Sequence, residues 1–194
     1  DVYKRQSLSS LLGGLVEKFA ARGYSLYLVG GSVRDALLGR LGNDLDFTTP
    51  ARPEVVKEIL DEWAETVWDT GIDFGTVSAA YKGQQIEITT FRSDSYDGQS
   101  RNPEVVYGDT LEGDLVRRDF KANAMAIELL ADASFKFHDP LHGLQDIADR
   151  VLDTPDKPEI SFHDDPLRML RAARFASQLE FRVADRVVEA MRDM

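Results

Sequence analysis

The 194-residue chain contains no cysteine, which excludes disulfide staples, thiolate nucleophiles and cysteine-ligated zinc. It carries no secretory leader pattern and no long apolar run, so the expectation is a soluble, cytoplasmic protein. Positive charge is scarce: 23 Lys and Arg stand against 34 Asp and Glu, a formal net charge of -11. Such a chain does not hold nucleic acid by bulk charge, although a local arginine cluster could still contact a polynucleotide. Neither the P-loop pattern GxxxxGKS/T nor the dinucleotide pattern GxGxxG occurs. Of the three histidines, His138 and His142 are four apart, but Pro140 and Gly143 argue against one helix presenting both. No Ser-His-Asp order is legible, and the aromatics are too scattered along the chain to mark a stacking platform.

What is present supports a folded core, since 43% of the residues are hydrophobic. Leu11 to Ala21 reads as a weak helix and Ser25 to Val29 as a buried strand. Gly30-Gly31-Ser32 breaks that strand before a helix over Val33 to Leu38, with Gly39 at its end. Asp44 to Phe47 alternates polar and apolar, the period of a half-buried strand. Pro53 to Trp63 reads as an amphipathic helix, and Phe74 to Tyr81 and Gln84 to Phe91 as strands about a Lys82-Gly83 turn. Residues 93 to 113 read as a long connecting loop of the kind kept for function. Asp119 to Leu130 is alanine-rich and reads as helix. A short strand over Phe135 to His138, a helix reaching Asp149 and a linker over Thr154 to Ser161 follow. Residues 164 to 194 read as continuous helix, with Leu167, Leu170, Phe175 and Leu179 on one side. The pattern implies an α/β or α+β domain followed by the opening of a helical one. The first residue is Asp and the last helix lacks a cap, which reads as a piece of a longer chain.

The chemistry concentrates in LYLVGGSVRDALLGRLGNDLDFT, from Leu26 to Thr48. A glycine pair after a strand lets backbone N–H groups approach an anion closely, and Ser32 and Arg34 add side-chain donors. Taken alone, the pair would be an ordinary tight turn. Asp44 and Asp46 share one strand face, where two carboxylates repel and require a cation or donors. Magnesium takes such hard oxygens together with substrate phosphates. Glu87 is the candidate third carboxylate. Arg118 and Asp119 precede Asn123, four residues on, and could hold phosphates and a ribose hydroxyl. Capping of a helix is the plainer alternative. Asp165 and Arg168, three apart at a helix start with Arg171 following, could read the pairing edge of a base. A capped helix with ordinary ion pairs fits the same spacing.

Taken together, LVGGSVRDALLG with DLD, FGTV, IEITTFR, DLVRRDFKANAMA, DPLHGLQDI and DDPLRMLRAARFA resemble the family of tRNA nucleotidyltransferases and bacterial poly(A) polymerases, the class II CCA-adding group. The resemblance runs from Leu26 to about Phe181. It implies an α+β fold: a nucleotidyltransferase head with a mixed, mainly antiparallel sheet over residues 1–150, then a linker and the start of a helical neck over 151–194. It implies metal binding and catalysis by Asp44 and Asp46 with support from Glu87. Gly30, Gly31, Ser32 and Arg34 match the triphosphate segment. Arg118 and Asp119 match the segment near ribose and phosphates, and Asp165, Arg168 and Arg171 the base-reading positions. The implied cofactor is Mg2+, the substrates CTP and ATP, and the partner a tRNA 3′ end. A-adding, CC-adding and poly(A)-adding enzymes share most of this head, as would a non-catalytic RNA-binding domain. The 93–113 loop favours CCA or A addition. Two departures are Lys121 in place of a usual Thr, and Asp164-Asp165 in place of Glu-Asp.

Overall fold

The computed structural model describes residues 12, 14–40, 42–93, 106–155, 157–159, 162 and 167–193. The strands are β1 Leu26–Val29, β2 Asp44–Thr49, β3 Thr66–Trp68, β4 Thr76–Tyr81, β5 Gln84–Thr90, β6 Ala126–Leu129, β7 Phe135–His138, β8 Val151–Leu152 and β9 Arg182–Val183. The helices are α1 Gly31–Leu37, α2 Pro53–Trp63, α3 Leu111–Val116, α4 Gly143–Asp149, α5 Leu167–Leu179 and α6 Asp185–Asp193. Helical backbone also runs over residues 14–21. The chain divides into two compact units, Asp1–Asp114 with Ala126–His138, and Leu115–Met125 with Asp139–Met194.

The first unit is built on a seven-stranded sheet in the order β3-β4-β5-β2-β1-β6-β7. Strands β2 and β5 run parallel and the other neighbours antiparallel, the mixed, mainly antiparallel sheet the sequence implied. Alternation assigns the two faces. Leu28, Leu45, Phe47, Val77, Ile86 and Ile88 are each 2% exposed or less, whereas Asp44, Asp46, Gln85, Glu87, Thr66 and Trp68 on the opposite face are exposed. Helix α2 forms where expected, with Pro53 in its first turn, Glu54 near its positive end and Val56, Ile59 and Leu60 buried. The β4–β5 hairpin closes through Lys82 and Gly83, both left-handed at φ 47 and φ 80, the twist a two-residue hairpin turn requires. Gly39, at φ 70, ends α1 in a Schellman arrangement: Arg40 N–H reaches the Asp35 carbonyl and Gly39 N–H the Ala36 carbonyl.

Four sequence readings need correction. The run from Asp119 to Leu130 is not a helix but a 3-10 turn over Lys121–Asn123 followed by β6. Its alanines, methionine and leucines favour helix intrinsically. However, Met125 to Leu130 has no polar stripe of helical period, and all four residues of β6 pair with β1, completing its second edge. Helix over 164–194 is interrupted: α5 ends at Leu179, Glu180 is left-handed at φ 57, and Arg182–Val183 pairs with β8. Phe181 N–H bonds the Ala176 carbonyl, again a Schellman cap, with glutamate where glycine usually signals the stop. On the side of α5 that carries them, Leu167 and Leu170 are 63% and 69% exposed. Of the 93–113 loop, residues 94–105 lie outside the described set. Its two ends are bridged at Arg92 and Tyr107, and Leu111 already begins α3. Within the 154–161 linker, Pro158 and Glu159 are helical, a position where proline suits a first turn. No helix among the described residues is long and apolar enough to cross a membrane.

Candidate active site

Strand β1 pairs with β2 through Tyr27–Thr48 and Leu28–Phe47. It ends at Val29, where Gly30 turns the chain at φ 64, ψ -140, a conformation open to glycine alone. The first half of β2 therefore meets no strand on that side. Ser32, 5% exposed at the start of α1, takes its place. Its Oγ accepts the Asp46 N–H at 3.0 Å and donates to the Asp44 carbonyl at 3.5 Å. One hydroxyl thus ties the glycine turn to the strand carrying both aspartates. The sequence marked Ser32 as an anion donor; this bridging role was invisible because it depends on where β1 stops.

Arg34 folds back over the same turn. A Cβ on Gly31 would lie 3.2 Å from the Arg34 Nη2, so the missing side chain makes room for the guanidinium. That group bonds Asp35 Oδ1 from Nε at 3.0 Å and from Nη2 at 2.9 Å. Asp35, which sequence reasoning passed over, therefore offsets much of the positive charge beside the turn.

On the other side of β2, the parallel register sets Asp46 opposite Glu87 and Asp44 opposite Gln85. Continuing outward, Glu87 faces Ser78 and Gln85 faces Ala80, then Trp68 and Thr66 on β3. Directly opposed residues share a face, so two rows run across four strands: Asp46, Glu87, Ser78, Trp68 and Asp44, Gln85, Ala80, Thr66. Burial raises the Glu87 carboxyl above its ordinary range, with further contributions from the Asp46 charge, a hydrogen bond with Asp46, and the Asp44 charge. Three carboxyls this close disfavour full ionisation until a cation joins them. The donor set fits a magnesium ion, being all hard oxygen on an exposed face. Among the described residues no group of three or more His, Cys, Asp or Glu is arranged to enclose a metal. The protein would therefore supply part of a coordination sphere, leaving the rest to phosphate oxygens and water.

The remaining candidates lie in the second unit. Asp119 Oδ1 accepts the Phe120 N–H at 2.8 Å and the Asn123 side-chain amide at 3.0 Å. The four-residue spacing is spanned by a 3-10 turn instead of the expected α-helix. Arg168, on α5, donates from Nη2 to the Arg117 carbonyl at 2.6 Å, joining the base-reading candidate to the Arg117–Asp119 segment. Arg171 sits one turn further along α5 and is half-buried, and Arg118 is half-buried in its own segment. Asp165 lies outside the described residues.

Lys121, the departure from the usual threonine, is accounted for locally. Its Nζ pairs with Asp153 Oδ2 at 3.1 Å and its N–H bonds the Asp153 carbonyl at 2.8 Å. Arg186 Nε pairs with Asp153 Oδ1 at 2.7 Å. Burial alone would raise the Asp153 carboxyl, but hydrogen bonds from Arg186 and Lys121, together with their charges, outweigh it and hold the carboxyl below its ordinary value. A depressed carboxyl stabilises the fold above its unfolded pKa of about 3.9 and loses that contribution as pH falls through the folded value. Asp153→Asn should therefore cost about 1–3 kcal/mol at neutral pH. Urea melts of both proteins from pH 7 to pH 3 should show the gap closing in acid; a gap independent of pH would reject the ion-pair account.

With this geometry in view, the kinship is unambiguous. Residues 26–153 match the family model of the Poly A polymerase head domain. The CCA-adding enzyme of Lactobacillus helveticus is 43% identical over 172 residues, 88% of this chain and 41% of that protein. That of Listeria innocua is 43% identical over 170 residues, 87% and 41% respectively. The Bacillus stearothermophilus CCA-adding enzyme solved with CTP superposes with a TM-score of 0.80 at 37% identity, over 94% of this chain and 42% of that one. A tRNA nucleotidyltransferase solved with a primer tRNA and an incoming ATP analog gives 0.76 at 31% identity, covering 94% and 49%. The chain spans about two fifths of the length of its curated relatives. It belongs to the class II family of CCA-adding tRNA nucleotidyltransferases and poly(A) polymerase head domains.

Proposed function

We propose that this chain is the nucleotidyl-transferring part of a CCA-adding enzyme, moving CMP and AMP from CTP and ATP onto the 3′-hydroxyl of tRNA with release of pyrophosphate. The observation that carries this reading is Asp44 and Asp46 on one exposed face, in register with Glu87 and fastened by Ser32 to the Gly30–Gly31 turn. Asp44 and Asp46 would hold a divalent magnesium, which when bound neutralises phosphate oxygens and lowers the pKa of an attacking hydroxyl. Gly30 and Gly31 present backbone N–H groups to the triphosphate. Arg34 exchanges its Asp35 partner for a phosphate oxygen, and Ser32 keeps the strand and the turn in one frame. Glu87 orients Asp46.

The resemblance assigns Arg118 and Asp119 to phosphate and ribose, with Asn123 bracing Asp119. It assigns Asp165, Arg168 and Arg171 to the pairing edge of the base, so that side chains choose the nucleotide in place of a template. On this reading the head covers residues 1–150, and residues 151–194 are linker and neck. The setting is the cytoplasm. The test is product length. Full-length protein given labelled CTP and ATP with a tRNA ending before CCA should add two C and one A and stop. A run of A residues, or addition halting at one nucleotide type, would overturn CCA addition in favour of the poly(A)-, CC- or A-adding relatives.

A further inference from the structure

The face that carries the carboxylates is open on one side and closed on the other. On the β1 side, where no strand residue is paired with Asp46, the β1–β6 ladder ends in the Val29–Ala126 pair, 1% and 0% exposed. Toward β5, β4 and β3 the row continues through exposed Glu87 and half-buried Ser78 to Trp68, a residue 43% exposed. Three strand spacings separate Trp68 from Asp46, about 14 Å. The glycine turn, Ser32 and Arg34 lie on the β1 side of β2. In phosphoryl transfer the attacking and leaving oxygens stand roughly in line across the phosphorus. With the pyrophosphate leaving toward the glycine turn, the attacking hydroxyl comes from the β5 side, and the RNA behind it extends over Ser78 toward β3. An exposed indole at the end of that path offers a π-face to a nucleobase of any identity. The floor between is uncharged apart from Glu87, so contact there depends on stacking more than on phosphate pairing.

Resting on the nucleotidyl-transfer reading above, we infer that Trp68 is a stacking site for a base of the acceptor RNA, a few nucleotides from its 3′ end. Trp68 carries no chemistry and reads no sequence; it adds affinity for the strand. Trp63, the second tryptophan, is already stacked on Tyr81 with ring centroids 4.1 Å apart, so the two indoles differ in availability.

Steady-state kinetics on the full-length protein, with the tRNA and CTP varied separately, test the assignment. Trp68→Ala should raise KM for the tRNA about ten-fold, leaving KM for CTP and kcat unchanged, and Trp68→Phe should keep most of the affinity. An unchanged tRNA KM in Trp68→Ala, with Asp46→Ala inactive, overturns the stacking site alone. Equal losses in Trp68→Ala and Trp68→Phe that extend to CTP overturn it too, because Trp68 would then act through the fold. Full activity of Asp46→Ala would bring down the site reading and this inference together.

Discussion

Gly143→Ala is expected to cost about 3 kcal/mol, the upper part of the range for forcing atoms into a filled space. A Cβ at Gly143 would lie 2.1 Å from the Lys121 carbonyl oxygen, 2.9 Å from its carbon and 3.0 Å from the Met125 side chain. The first contact is with backbone, which cannot rotate away. Gly143 also begins α4, where its N–H and that of Leu144 bond the two carboxyl oxygens of Asp139 at 2.7 and 3.0 Å. Relief would require moving either that capped helix start or the Lys121–Asn123 turn bracing Asp119. Gly39→Ala is the matched control. Its left-handed φ of 70 costs conformational energy, but nothing lies within 4 Å of the added Cβ, so roughly 1 kcal/mol is expected. Thermal melts should rank Gly143→Ala well below Gly39→Ala, and the reverse order would refute the close-approach account. Gly143→Ala should also raise KM for CTP, since the Asp119–Asn123 pair shifts with the turn.

The contrast between Gly39 and Glu180 shows what was readable beforehand. Both residues are left-handed at a helix end, and in both the next residue's N–H reaches back five residues to a helix carbonyl, yet Gly39 announced the stop and Glu180 concealed it. The strand over Asp44 to Phe47 was plain from its alternation, because one face was to be buried and period two follows from that. The stretch Ala126–Leu129 was not, because its strand state comes from the vacant edge of β1, a partner about a hundred residues earlier in the chain. In the candidate site, the shared face of Asp44 and Asp46 was legible from spacing alone. The bond from Ser32 to β2, the Arg34–Asp35 pairing and the alignment of Trp68 with Asp46 were not. The first follows from where β1 stops, the second from the way Arg34 folds back over the glycine turn, and the third from register between strands, with β3 three residues long, too short to show a period. Lys121 appeared as a lone substitution until Asp153 and Arg186 were seen around it.

Asp46→Asn should separate stability from activity. In the metal-free protein the Glu87 carboxyl is raised, first by burial and then by Asp46 and Asp44. A raised carboxyl favours the fold at low pH and loses that advantage as pH climbs through its folded value. Removing the Asp46 charge relieves the repulsion, so metal-free Asp46→Asn should melt above the wild type at pH 7 and approach it near pH 4. Magnesium should invert the order, raising the wild-type melting temperature by preferential binding to the folded state while leaving the variant almost unmoved. Equal magnesium responses in the two proteins would remove Asp46 from the metal site.

The most direct test of the catalytic assignment is incorporation of labelled CTP and ATP into tRNA lacking its CCA end, by the full-length wild type, Asp44→Ala and Asp46→Ala in parallel. The wild type should add nucleotide in a magnesium-dependent way, and each variant should fall by about a hundred- to a thousand-fold, the scale on which catalysis depends on preorganised charge. Incorporation at the wild-type rate in both variants would contradict the assignment.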